Sequence, residues 1–85
     1  MELNRMDYVY MKLLKKKKCT SFFESMTLRE IMEVTNTARV TTYKKLSKLV
    51  EYGYVQKGCK SAQADTYFIS AKGLRTIEKG VIEDD

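Results

Sequence analysis

Residues 27–55, TLREIMEVTNTARVTTYKKLSKLVEYGYV, decide the reading of this chain. Thr27 is a good N-cap, and Glu30 stands three residues later, where its carboxylate reaches back to the Thr27 backbone N–H. Met26 and Ile31 suit the hydrophobic staple that often accompanies such a capping box. A helix therefore begins at Leu28, with Leu28, Ile31 and Met32, and Val34 at the margin, on its apolar side. It ends near Thr35, because Thr35-Asn36-Thr37 are poor helix formers with local hydrogen-bonding alternatives. Asn36 sits where a left-handed residue closes a helix. A second helix, about 39–52, places Leu46, Leu49 and Val50 on one stripe, with Thr42 a turn earlier and Gly53 as the stop. Arg39, Lys44, Lys45 and Lys48 fall mostly off that stripe, so one short helix buries aliphatics on one side and shows positive charge on the other. Two such helices joined by a tight turn can lay the second into a DNA major groove.

Working outward, Tyr54-Val55-Gln56-Lys57 and Thr66-Tyr67-Phe68-Ile69-Ser70 are β-favouring runs around a polar loop, 58–65, and predict a hairpin with Lys57 and Lys60 near its tip. Ser70 then caps a last helix. The ordered set Leu46, Leu49, Gly53-Tyr54-Val55 and Ser70-Ala71-Lys72-Gly73-Leu74 resembles the winged helix-turn-helix regulators of the MarR and PadR type, over about residues 27–77. The resemblance implies an α+β fold: about three core helices plus a C-terminal helix, and a small antiparallel β-sheet with a β-hairpin wing. It also implies a small strand before the capped helix that pairs with the wing. The expected single domain, 1–85, divides into a helix at about 4–17, a short strand at about 22–26, the helix-turn-helix at 27–53, the wing at 54–70, a C-terminal helix at 71–82 and an acidic tail at 83–85. The family pattern has a Ser or Thr before the second helix and an aliphatic after the position of Thr41. Ala38 and Thr42 stand there instead, which leaves Thr37 as the expected cap and puts a hydroxyl at a normally buried place.

The expected function is sequence-specific binding of double-stranded DNA by a transcriptional regulator, with the second helix in the major groove and the wing on the backbone or minor groove. The first turns of that helix supply the base-facing candidates Arg39, Val40, Thr41, Tyr43 and Lys44. Arg39 suits a bidentate contact to guanine and Val40 a thymine methyl. Tyr43 either stacks against sugar and phosphate or packs sideways on the wing. Lys45, Lys48, Lys57 and Lys60 suit phosphates, with Lys16, Lys17, Thr27 and Arg29 as further phosphate candidates. Winged helices also serve as protein–protein adaptors, subunits of larger complexes, or replication and partition initiators, and the basic second helix is what favours DNA over an adaptor.

Charge agrees with this reading. Sixteen lysines and arginines face 11 acids, for a net charge of +5, and three of the acids lie at 83–85. The rest of the chain sets 16 basic groups against eight acidic ones, or +8, a balance suited to a polyanion. Without histidine, a glycine-rich phosphate loop or a metal-ligand cluster, no catalytic residue, metal or cofactor is expected. MELNRMDYVYMKLL is too polar for a signal peptide or membrane span, so a cytoplasmic, nucleoid-associated protein is expected. Cys19 and Cys59 lack metal-ligand spacing and read as a buried residue and a wing residue. A sharper alternative makes Cys59, between Lys57 and Lys60, a redox sensor.

The N-terminal helix carries Leu3, Met6, Tyr10, Leu13 and Leu14 on one face, which leaves Val9 and Met11 outside it. Lys15 to Lys18 at its end are either a solvated terminus or a phosphate clamp. In the segment that follows, Phe22 or Phe23 is expected to plug the core beneath the sheet, since a strand points only one of two neighbours inward. The last helix buries Leu74 and Ile77, with Gly80 interrupting it. By family analogy a homodimer is expected, with Tyr8, Met11, Val81 and Ile82 as interface candidates.

Overall fold

The computed structural model describes residues 3–80. In chain order its elements are α1 (Arg5–Lys16), β1 (Met26–Thr27), α2 (Leu28–Thr35), α3 (Arg39–Glu51), β2 (Val55–Lys57), β3 (Thr66–Ile69) and α4 (Ala71–Gly80). The strands form an antiparallel sheet in the order β1-β3-β2, with Met26 opposite Tyr67 and Val55 opposite Ile69. Strand β3 is central because only it has partners on both sides, and Tyr67 and Ile69 on it are buried. Both helix pairing and wing thus follow the expected order, while Val81, Ile82 and the acidic tail lie outside the described residues.

Local chemistry explains where each helix starts and stops. Asn4 caps α1 through a capping box with Asp7, and Thr27 caps α2 through one with Glu30. Asn36 adopts φ 56°, which closes α2. At the end of α3, Gly53 takes φ +84°, a region in which a Cβ is disfavoured. Ser70 accepts from the Gly73 N–H at 3.1 Å and donates to the Gly53 carbonyl at 2.6 Å, so one hydroxyl both caps α4 and ties it to the α3 terminus. A Cβ at Gly73 would lie 2.7 Å from Ile69 Cγ1 and press on the Tyr54 carbonyl. Lys72 donates to the Tyr52 carbonyl at 2.8 Å and lies 4.7 Å from the Tyr54 ring centre. Through these contacts Ser70, Lys72 and Gly73 together fasten the start of α4 to the end of α3 and to the hairpin.

Four expectations change. Met11 is fully buried, because α1 packs at once on α3, α4 and β3 and the sequence stripe covers only part of that surround; it is therefore no interface residue. The segment expected to be a strand at 22–26 pairs only at Met26. Upstream, the Glu24 N–H donates to the Ser21 carbonyl at 3.1 Å, turning the chain back on itself, and Phe22 and Phe23 stand outside the core at 51% and 81% exposure. Val34 is exposed as well. Finally, Thr37 does not cap α3. Ala38 is the N-cap, without a side-chain hydrogen bond.

Thr37 instead joins a chain of hydroxyls beneath the helix-turn-helix. Its Oγ1 lies 3.1 Å from Tyr10 Oη, 2.8 Å from Thr35 Oγ1 and 2.6 Å from Thr42 Oγ1. Thr35 donates back to the Ile31 carbonyl and Thr42 to that of Ala38. The buried hydroxyl of Thr42 is thereby satisfied, which is why a threonine can stand where an aliphatic was expected.

Candidate nucleic-acid interface

Helix α3 presents its first two turns to solvent. Arg39, Val40, Thr41, Tyr43 and Lys44 are all exposed, Val40 at 64% and Tyr43 at 51%. Their common side follows from the burial of Thr42, Leu46 and Leu49, which turns the opposite face outward. Among the described residues no carboxylate pairs with Arg39, Lys44 or Lys45. The first turn of α3 also contains no acidic side chain and receives no side-chain cap, so its N–H groups and positive dipole end face outward.

The wing stands beside this helix end. Between them runs a groove of about 490 Å³, walled by Arg39 and Tyr43 of α3, Thr27 and Arg29 at the start of α2, and Gln63 and Asp65 of the wing. Tyr67 forms part of its floor, and burial pushes the Tyr67 phenol up in pKa. Tyr43 thus faces the wing while keeping half its surface open, so both expected roles remain open to it. The wing turns through Ser61 and Ala64, which exchange backbone hydrogen bonds at 3.0 and 2.9 Å, with Ala62 and Gln63 at φ 50° and 71° between them. Two left-handed central residues match the right-handed twist of a hairpin, although neither is the glycine or asparagine that usually takes such a place.

The base of the wing is fastened to the preceding loop. Cys59 N–H donates to the Phe22 carbonyl at 2.9 Å, Ser25 donates to Thr66 Oγ1 at 2.9 Å, and Thr66 donates to the Cys59 carbonyl. Cys59 is half-buried there. Cys19 is buried, and that burial, with the nearby Glu30 and Glu24 carboxylates, pushes its thiol up.

The structure separates the remaining phosphate candidates. Lys48 is turned inward: its Nζ lies 2.9 Å from Oδ2 of Asp7, a fully buried carboxylate, so its charge is committed to joining α3 to α1. Lys57 and Lys60 are exposed but both engage Asp65, at 3.3 and 3.1 Å. Arg29 sits 3.8 Å from Glu33 one turn along α2, and the Thr27 hydroxyl is occupied by its cap. Lys16 is exposed in the last turn of α1. Lys17 lines a second groove with Cys19, Met26, Val34, Glu30 and Glu33, and this groove shares no wall residue with the first. Asp7 and Asp65 escaped the sequence reading. Asn4 followed three residues later by Asp7 is a capping-box spacing that marks the first, and a lone acid in a wing with two lysines marks the second.

Among the described residues no group of His, Cys, Asp and Glu could hold a metal, and no helix is long and apolar enough to cross a membrane. No protein-family model matches the sequence. The DNA-binding protein TubR of Clostridium botulinum C phage is 26% identical over 78 residues, covering 92% of this chain and 96% of that protein. The solution structure of the DNA-binding TubR fragment from Clostridium botulinum matches with a TM-score of 0.74 at 25% identity, over 93% of this chain and 98% of that one. TubR from Bacillus megaterium pBM400 matches with a TM-score of 0.82 at 13% identity, over 92% and 86%, a likeness of fold. With four helices, a three-stranded antiparallel sheet and a hairpin beside α3 among the described residues, the chain has the α+β winged helix-turn-helix fold that these structures share.

Proposed function

We propose that this chain is a sequence-specific double-stranded DNA-binding protein that acts as a transcriptional regulator. In this reading the N-terminal half of α3 enters the major groove and the wing lies on the adjacent backbone or minor groove. The observation that carries it is the exposed, acid-free first half of α3, with Arg39 and Lys44 unpaired among the described residues, beside a wing across one groove. Similarity over nearly the whole chain to a sequence and to a solved structure, each described as DNA-binding TubR of Clostridium botulinum or its phage, supports the same reading. Arg39, Val40 and Thr41 then face base edges, and Tyr43, Lys44 and Lys45 follow the sugar and phosphate. Lys57 and Lys60 serve the wing. Lys48 is withdrawn from the set, since its ammonium is held by Asp7. Of the outlying candidates, Arg29 has the best position, on the groove wall with Arg39, and Lys16 and Lys17 the poorest.

The motifs at Gly53-Tyr54-Val55 and 70–74 support a MarR- or PadR-like arrangement of wing and last helix, and we place that resemblance at the level of the module. The binding reading is tested by a salt-titrated mobility shift with random duplex, followed by selection from a random library. Binding that weakens steeply with salt and an enriched motif are expected; absence of binding at low salt refutes the proposal. Arg39→Ala should then cost about 1–3 kcal/mol on the selected site and relax preference at one base pair. A two-fold-symmetric motif would accompany a homodimer, for which sedimentation at micromolar concentration is the direct measurement.

One observation favours a second, protein-directed reading. Phe22 and Phe23 are exposed with their rings edge-to-face at 5.1 Å, on a loop held in place by hydrogen bonds to the wing base rather than by the core. Loss of a partner, but not of DNA binding, on replacing both with serine would support it.

A further inference from the structure

The two wing lysines offered to DNA above share a carboxylate to which that reading gives no role. Asp65 Oδ1 lies 3.1 Å from Lys60 Nζ and Oδ2 lies 3.3 Å from Lys57 Nζ, so each carboxylate oxygen engages a different ammonium group. Two cations and one anion leave this part of the wing at +1. All three side chains are reached by solvent, at 51%, 66% and 35% exposure for Lys57, Lys60 and Asp65. The contacts with Lys60 and then Lys57 hold the Asp65 carboxyl below the usual carboxylate range, as expected of a full negative charge at neutral pH. Asp65 also walls the groove that Arg39 faces, on the side where a polyanion would lie.

A carboxylate so placed cannot be indifferent to DNA. A phosphate that takes either lysine must displace Asp65 from it or sit beside a like charge, and both lower the return on a purely electrostatic contact. A duplex that also offers base contacts to α3 can offset this loss, whereas one offering only phosphates cannot. We propose that Asp65 is a specificity-determining residue: an internal counter-anion that occupies Lys57 and Lys60 and suppresses binding of the wing to nonspecific duplex. This rests on the DNA-binding reading above.

The test uses the full chain and a labelled random-sequence duplex, titrated at several salt concentrations. Asp65→Asn keeps the shape and removes the charge. It should bind about fivefold tighter than the unaltered protein, a size set by the weakness of exposed ion pairs. In a Lys57→Gln/Lys60→Gln background the same substitution should give a much smaller gain, because no lysine is left to release. Asp65→Ser repeats the comparison should the asparagine variant fold poorly. A variant no tighter than the parent, or weaker, overturns the proposal and makes Asp65 a residue that positions the lysines for phosphate. An equal gain with and without the lysines also overturns it, since the effect is then general charge. If the unaltered protein binds no duplex at low salt, the DNA-binding reading fails and this inference falls with it; if it binds and Asp65→Asn brings no gain, only the role of Asp65 is refuted.

Discussion

Replacing Lys48 by methionine separates an architectural cation from a DNA-contacting one. The Asp7 carboxylate is fully buried and accepts two hydrogen bonds through Oδ2, from Lys48 Nζ and from the Asn4 N–H, both at 2.9 Å. Its Oδ1 is buried with no hydrogen-bond partner among the described residues. Methionine keeps the apolar stem and removes the ammonium, leaving a buried anion with a single N–H. Breaking a buried pair in this way typically costs about 3–5 kcal/mol. Because Lys48 is itself 31% exposed, water reaches one side of the pair, and a figure at or just below that range, about 2–3 kcal/mol, is the better one. In a domain of this size that corresponds to a fall in Tm of roughly 10–20 °C. Thermal unfolding followed by circular dichroism measures it. Asp7→Asn/Lys48→Met, which removes both charges, should recover a large part of the loss, since the cost lies in the orphaned anion. The salt slope of DNA binding should stay unchanged when measured well below the new Tm. A Tm within a few degrees of the parent, or a slope reduced by one charge, would show that Lys48 serves phosphate instead.

Three further outcomes follow from particular contacts. Gly73→Ala places a methyl 2.7 Å from Ile69 Cγ1 and against the Tyr54 carbonyl, and should cost about 1–3 kcal/mol in urea unfolding; a neutral result would mean that α4 shifts freely on the hairpin. Ala38→Ser supplies the missing cap at an extended residue, φ −68° and ψ 154°, and should raise stability by about 1 kcal/mol; no gain would mean that the α3 N–H groups are already satisfied by water. Burial raises the Cys19 thiol, so the folded state disfavours its thiolate: any stability this contributes is present below the ordinary thiol pKa and is lost as pH rises through the higher folded value. At pH 8 Cys19 should therefore alkylate more slowly than Cys59, as peptide mapping can read, and equal rates would refute its burial.

Much of this protein was legible residue by residue, and the reason is that the informative signals are local. The Thr27–Glu30 capping box, the left-handed Asn36 and the Gly53 stop each depend on a few neighbouring atoms, so they survive intact from sequence to structure. The exposed side of α3 follows from where Thr42, Leu46 and Leu49 are buried, and this too is a matter of helical period. What spacing cannot convey is which surfaces meet. Met11 lies off the α1 stripe yet is buried, because three elements surround that helix. Phe22 and Phe23 have a strand-like composition and are nonetheless exposed, since a turn at 21–24 wins over extension. Thr37 looks like a cap and is instead the hub of hydroxyls from Tyr10, Thr35 and Thr42.

Charge shows the same division at the level of function. The amino-acid sequence by itself determined that α3 carries one arginine and three lysines and the wing two lysines, and it determined the helix-turn-helix through its caps and period. Only the tertiary structure decided which of those cations are available: Asp7 lies 41 positions from Lys48, and Asp65 lies eight from Lys57, and in each case folding brings the partners within hydrogen-bond reach. A local pattern specifies the shape of a helix, but an ion pair is a long-range coincidence of two chain segments, and its existence is set by how the segments pack.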